Sequence, residues 1–342
     1  MQWPRGQASW RPHGGMRALM LCWAAQLTAV NVTAARARPP TTTPAGRTVL
    51  GYHTCGWGGS DSRPGGWRHY NWSLLTHISY HSAVKLQSNG SLWFQPACGC
   101  VAPDCGLPAP DAEYAAIRGA ARAHGVKLLL SLTELNATSF AETFLFDPAA
   151  RAAASRNLAQ LRLDSGANGF GFDFEGSYVT NATDATAIVS FFAQVRRADL
   201  IATTAAAAPG PLLLLFPMGA MLDPPLEAGA WNMSALAEAV DLIALMCYDF
   251  VGGWAGVAGP NAPLTGGMEI TDGRPGHFHD WKGDTKAAVS YYQQFSGKIA
   301  QEKLLVGVPW YGHEWATNGA GTSRADRTMR SKQVGSHTLA TL

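Results

Sequence analysis

Apolar runs of strand length recur along the chain, at Val49–His53, Leu75–Tyr80, Val126–Leu132, Gly169–Glu175, Leu212–Pro217, Leu242–Tyr248 and Leu304–Trp310. Helical stretches lie between several of them: Asp111–His124 ahead of Gly125, Asp147–Leu163 opening on Asp-Pro, Asp184–Leu200, Met233–Val240, and Asp284–Phe295 ahead of Gly297. Strands that are apolar at nearly every position are buried on both faces, so this β-α alternation predicts an α/β fold with a parallel sheet covered by helices. Glycine-rich phosphate-binding motifs are missing, which disfavours an open doubly wound sheet and leaves a (β/α)8 TIM barrel. An eighth strand is not visible. After Trp315 the chain runs through Gly-, Thr- and Arg-rich sequence, so the expectation is a barrel whose eighth strand is missing or truncated.

The ends read differently. Residues 1–34 carry Arg5, Arg11 and Arg17, an apolar stretch from Ala18 to Val30, and small residues up to Ala34, the pattern of a cleaved signal peptide. That run is too short and interrupted for a membrane span. Residues 35–46 form a Pro/Thr-rich linker, 47–315 the barrel domain, and 316–342 an irregular tail. The formal charge is +2; without the leader, 23 basic face 24 acidic side chains, a balance that argues against a nucleic-acid partner.

Asn-x-Ser/Thr triplets at Asn31, Asn71, Asn89, Asn136, Asn181 and Asn232 fit the secretory pathway, with an extracellular or lysosome-like destination. Outside the leader lie Cys55, Cys98, Cys100, Cys105 and Cys247, an odd number, so one thiol, best assigned to Cys247, stays free in an oxidising compartment. The Cys98-Gly-Cys100…Cys105 spacing lacks the paired halves of a zinc ribbon. His53 and His313 flank strand ends without a spaced second ligand, and His277 and His279 share only proximity. No metal and no cofactor are expected.

Chemistry concentrates in Asn168-Gly169-Phe170-Gly171-Phe172-Asp173-Phe174-Glu175. A period of two puts the phenylalanines on one face and Gly171, Asp173 and Glu175 on the other. In a barrel the rings meet the helices, and the carboxylates stand inside at the strand's C-terminal end, where TIM-barrel active sites lie. Two carboxylates on one buried face repel, which favours a protonated Glu175 able to act as general acid.

This segment resembles the family 18 glycoside hydrolase signature Asp-Gly-x-Asp-x-Asp-x-Glu. Met246-Cys247-Tyr248-Asp249 resembles the family's Met-x-Tyr-Asp, and Val306-Gly307-Val308-Pro309-Trp310-Tyr311-Gly312 its Gly-x-Pro-x-Tyr-Gly element. Asn261-Ala262-Pro263-Leu264 and Pro309-Trp310-Tyr311-Gly312 look most like the di-N-acetylchitobiase branch of this chitinase-like family. The resemblance covers 47–315 and implies a monomeric glycosidase acting on β-1,4-linked N-acetylglucosamine, in chitin oligosaccharides or the chitobiose core of N-glycans.

It implies that Glu175 protonates the leaving oxygen while the substrate's own acetamido oxygen attacks the anomeric carbon, with Asp173 and Tyr248 supporting that group. Asp249, Met246, Tyr52, Trp310 and Tyr311 would bind the sugar. The sequence departs from the signature at Asn168, expected to keep a structural hydrogen bond, and at Gly171, which removes the inner acid that can share a proton with Asp173. Trp57, Trp254 and Trp315 are further candidates for stacking on sugar faces. The alternatives are a non-catalytic chitinase-like sugar-binding protein and an inactive truncated product.

Overall fold

The computed structural model describes residues 46–53, 66–94, 112–134, 141–174, 179, 181–204, 209–220, 230–251, 258–266, 284–294, 299–316 and 335–338. The signal peptide, nearly all of the linker, Cys55, Cys98, Cys100, Cys105, Trp57, Trp254, His277, His279 and Glu175 lie outside the described residues.

Every apolar run read from the sequence contains a parallel strand. These are β1 (Leu50–His53), β2 (His77–Leu86), β4 (Lys127–Glu134), β5 (Gly169–Phe172), β6 (Leu213–Gly219), β7 (Leu242–Met246) and β8 (Leu304–Val306), hydrogen-bonded in that order. A short strand β3 (Leu92–Phe94) folds back antiparallel on the far end of β2. The five helical stretches form α1 (Ala112–Ala123), α2 (Pro148–Ser165), α3 (Ala182–Thr203), α4 (Met233–Ala239) and α5 (Thr285–Gln293).

Their ends follow the caps in the sequence. Asp147 accepts from Ala149 N and Ala150 N ahead of Pro148, and α2 stops at Gly166 in the left-handed conformation, φ 68°. Asn181, Asn232 and Asp284 cap α3, α4 and α5 in the same way.

Alternation sorts the strand side chains into two layers. Outward, Ile78, Tyr80, Leu128, Leu130, Phe170, Phe172, Leu214, Phe216, Ile243 and Leu245 meet the helices in the main core. Phe172 packs 4.9 Å from Phe192 of α3, and Phe192 lies 5.3 Å from Phe216, so the phenylalanine face does bind the helical layer.

Inward, Leu129, Leu215, Leu242 and Ala244 form a second cluster, and Leu50 of β1 and Leu305 of β8 both pack against it. The two outermost staves therefore turn toward a shared interior. The sheet is curled, as a barrel requires.

A buried ion pair ties helices to sheet. Arg162 of α2, 0% exposed, donates to both carboxylate oxygens of Asp199 in α3 at 2.8 and 2.9 Å, and also to Gly210 O and Asn168 O. Asn168 itself accepts from Leu128 N at 2.8 Å and donates to Pro209 O at 3.0 Å, the structural hydrogen bonding expected of it.

Beyond β8, β9 (Tyr311–Glu314) pairs antiparallel with β10 (Gly335–Thr338), a strand inside the stretch read as an irregular tail. The expectation of a missing eighth stave concerns that same stretch, where 317–334 and 339–342 lie outside the described residues. Cys247 is free and buried, and burial pushes its thiol up to about 11.

Candidate active site

The C-terminal ends of the staves bring most of the sequence-predicted residues to one mouth. Asp173 follows β5, its backbone N–H donating to Leu132 O at 2.9 Å, which extends the pairing with β4 by one step and holds its side chain on the inner face. Tyr52, on the inner face of β1, keeps 41% of its surface open to solvent. Its phenol is nonetheless held well above the usual tyrosine range, first by burial among the surrounding groups and then by its neighbours Tyr248 and Asp173. Tyr52, Asp173 and Tyr248 thus share one electrostatic environment, although β1, β5 and β7 are far apart in sequence.

Past β7 the chain turns sharply. Leu245 O accepts from both Cys247 N and Gly307 N, and Asp249 sits at φ 55°, a conformation uncommon outside glycine. Asn261 holds that turn: its Oδ1 accepts from Asp249 N at 2.8 Å, its Nδ2 donates to Tyr311 O at 3.0 Å, and its carbonyl accepts from Phe250 N at 3.0 Å. Asp249 accepts from His313 Nε2 at 3.0 Å. The Tyr311 phenol is pushed far up, chiefly by burial and then by Asp249 and Tyr248.

Tyr248 meets Tyr311 edge to face at 6.3 Å, and Tyr311, His313 and Trp315 continue as a ladder of rings at 5.5 and 5.7 Å. Met246, at the end of β7, is partly buried on the inner side. Trp310 is 76% exposed in the bend between β8 and β9, so it is a surface ring and not part of the core.

His53 belongs to the core instead, stacked on Tyr80 at 5.2 Å with Nδ1 bonded to the Tyr70 hydroxyl at 2.9 Å. At Gly171 an added Cβ would meet Leu215 Cδ2 at 3.4 Å and Ser79 Oγ at 3.8 Å, ordinary contact distances. The position lies on the inner face, and the Ser79 hydroxyl beside it is buried with no hydrogen-bond partner among the described residues.

The strand pattern missed two features of the mouth, His81 and Asn261's clamp on Asp249. His81 Nε2 lies 3.8 Å from Asp173 Oδ2, and its ring sits 5.7 Å from that of Tyr52, edge to face. Only a polar side chain two positions beyond the inward Ser79 hinted at it.

A curled parallel sheet with helices outside places a carboxylate among tyrosines at the C-terminal ends of the strands, the end where TIM-barrel sites lie. Residues 48–339 match the model of glycosyl hydrolases family 18, and the chain belongs to that family. A probable endochitinase of Caenorhabditis elegans is 31% identical over 194 residues, which is 52% of this chain and 28% of that protein. The matched part thus spans little more than a quarter of that curated relative.

In fold, the chain resembles an immunomodulatory active chitinase from Trichuris suis (TM-score 0.63, 21% identity, 83% of this chain and 72% of that one). It also resembles human YKL-39, a pseudo-chitinase with retained chitooligosaccharide binding properties (TM-score 0.62, 18% identity, 83% and 72%). Among the described residues no helix is long and apolar enough to cross a membrane.

Proposed function

We propose that the chain is a retaining glycosidase that cleaves β-1,4-linked N-acetylglucosamine, in chitin oligosaccharides or the chitobiose core of N-glycans. The observation that carries this reading is the convergence of Tyr52, Asp173 and Tyr248 at the strand ends of a family 18 chain. The acid, Glu175, is assigned from the sequence alone. Its carboxyl proton goes to the glycosidic oxygen as the bond to the anomeric carbon breaks, and the substrate's acetamido oxygen forms the new bond, giving an oxazolinium ion. Water then attacks the same carbon, giving its proton to the Glu175 carboxylate.

Asp173 orients the acetamido group and offsets its growing positive charge, Tyr248 hydrogen-bonds its carbonyl, and Asp249, Tyr311, Met246 and the exposed Trp310 line the sugar path. The finer assignment to the di-N-acetylchitobiase branch rests on the sequence Asn261-Ala262-Pro263-Leu264, whose Asn261 bonds Asp249 and Tyr311.

A second reading, a sugar-binding protein without turnover, is favoured by Gly171, which stands where the family signature has the inner acid that can share a proton with Asp173. The test is chromophore release from a chitobiose-linked reporter by the full chain beside Glu175→Gln and Asp173→Asn. Hydrolysis abolished by either substitution supports the enzyme; a folded wild type that binds chitobiose without cleaving it supports the binding protein.

Export through the secretory pathway as a glycosylated monomer goes with this reading, to the cell exterior or a lysosome-like compartment. Asn71, Asn89, Asn181 and Asn232 are all exposed, and each side-chain oxygen accepts a local hydrogen bond, which turns the amide of its sequon into a fixed turn or cap.

A further inference from the structure

We propose that His81 is the positioning residue for Asp173, reaching it from β2 to occupy the role that no side chain on β5 can fill. The inference deepens the proposed function and rests on it for its kinetic consequence, though the contact itself stands on geometry.

The strand that carries His81 is irregular at that point. In the pairing of β2 with β4, Tyr80 faces Leu130 and Val84 faces Leu132, so four steps on β2 run beside two on β4. Two extra residues are accommodated just where the strand reaches the mouth. A bulge of this kind bends the strand and re-aims a side chain, and bulges are enriched beside active sites. His81 opens this irregular stretch, and alternation from Ser79 puts it on the inner face, where the imidazole lies beside Ser131 of β4 and the carboxylate that follows β5.

His81 and Asp173 are 20% and 17% exposed, with 3.8 Å between Nε2 and Oδ2. On the other side of the ring, Ser131 of β4 lies 3.5 Å from Nδ1. With the serine hydroxyl donating to Nδ1, the single proton of a neutral imidazole is carried on Nε2, directed at Asp173. The edge contact with Tyr52 restrains the ring plane.

The groups facing His81 are Tyr52 from β1, Lys85 from its own strand, Ser131 from β4 and Asp173 from the end of β5. Burial first, and the Lys85 ammonium second, hold the imidazole down at about 4, so it is neutral near neutral pH. A neutral N–H suits this position because, once Nε2 closes from 3.8 Å to hydrogen-bond distance, it fixes one carboxylate oxygen and leaves the negative charge to the substrate. On β5 the position two residues earlier is Gly171, which offers neither a proton nor a hydrogen bond.

The experiment uses the full chain as wild type, His81→Ala, His81→Asn and Asp173→Asn, with thermal melting to confirm that each folds. Histidine ring carbons are followed by NMR against pH, the His81 signal being the one lost in His81→Asn. Because a nearby carboxylate favours the imidazolium, Asp173→Asn should move the His81 titration to lower pH by about half a pH unit or more. A titration unmoved within about 0.1 pH unit would overturn the proposal.

In the reporter assay, His81→Ala should lower kcat about tenfold or more, hold KM within about threefold and displace the acid limb of the pH profile, with His81→Asn recovering part of the loss. A folded His81→Ala with the wild-type rate and profile would refute the role. If the wild type does not cleave the reporter, the proposed function fails, and the NMR titration alone decides the contact.

Discussion

Gly307 sits where backbone and site chemistry press hardest on each other, and replacing it with alanine separates the two demands. Its N–H donates to Leu245 O at 2.8 Å, continuing the β7–β8 pairing. An added Cβ would lie 2.7 Å from that same oxygen and 2.8 Å from Cε1 of Tyr248. Both are well inside van der Waals contact. The oxygen belongs to a backbone that already accepts a second hydrogen bond, from Cys247, so it has little room to yield.

Overpacking of this kind costs about 1–3 kcal/mol. At roughly 2–4 °C per kcal/mol, Gly307→Ala should melt about 2–12 °C below wild type. Part of the strain will be relieved by tilting Tyr248, and a displacement near 1 Å in a positioned group can cost about a hundredfold in rate.

Gly312, in the same short motif, is the internal control, since nothing lies within 4 Å of a Cβ added there. Gly312→Ala should stay within about 0.5 kcal/mol of wild type. Differential scanning calorimetry and the chitobiose reporter read the two effects. Equal melting temperatures and rates for the two variants would refute the reasoning, because the contact at Gly307 would then carry neither strain nor Tyr248's position.

Arg162→Met leaves Asp199 ionised and buried without its partner, which should cost about 3–5 kcal/mol and a fall of at least about 6 °C in Tm. The double variant Arg162→Met, Asp199→Leu should regain much of that loss in the same melt, and no recovery would mean that the guanidinium acts mainly through Gly210 O and Asn168 O. His81 supplies a pH dependence of stability. Its folded value of about 4 lies below the ordinary 6.5, so between those limits the unfolded chain binds more protons and stability falls as the pH drops from about 6.5 toward 4. The loss amounts to at most about 3 kcal/mol, and chemical denaturation at about pH 7 and pH 4.5 should show a smaller acid loss for His81→Asn than for wild type.

The strands and helices were legible because they are buried in one way throughout. A stave covered on both faces must be apolar at nearly every position, and a helix lying on it repeats its apolar side, so Leu128–Leu132, Phe170–Phe172 and the cap at Asp147 announce themselves locally. The hydrogen bonding of Asn168 followed from its place in the signature, and the free Cys247 from the odd number of cysteines outside the leader.

What the sequence could not display is whatever depends on register between distant segments. The irregularity in β2 that His81 opens arises only in pairing with β4, His81 meets Asp173 across β4, Asn261 reaches Asp249 and Tyr311 across a turn with a left-handed residue, and Arg162 finds Asp199 thirty-seven positions away. The antiparallel partnership of β10 with β9 was equally hidden, since four polar and small residues carry no strand signal until a neighbour offers its backbone.

Patterning along one chain is set by burial, which each segment carries in its own residues. The pairings at the mouth are set by hydrogen bonds and short contacts, which exist only after curling of the sheet has brought β1, β2, β5 and β7 around one interior.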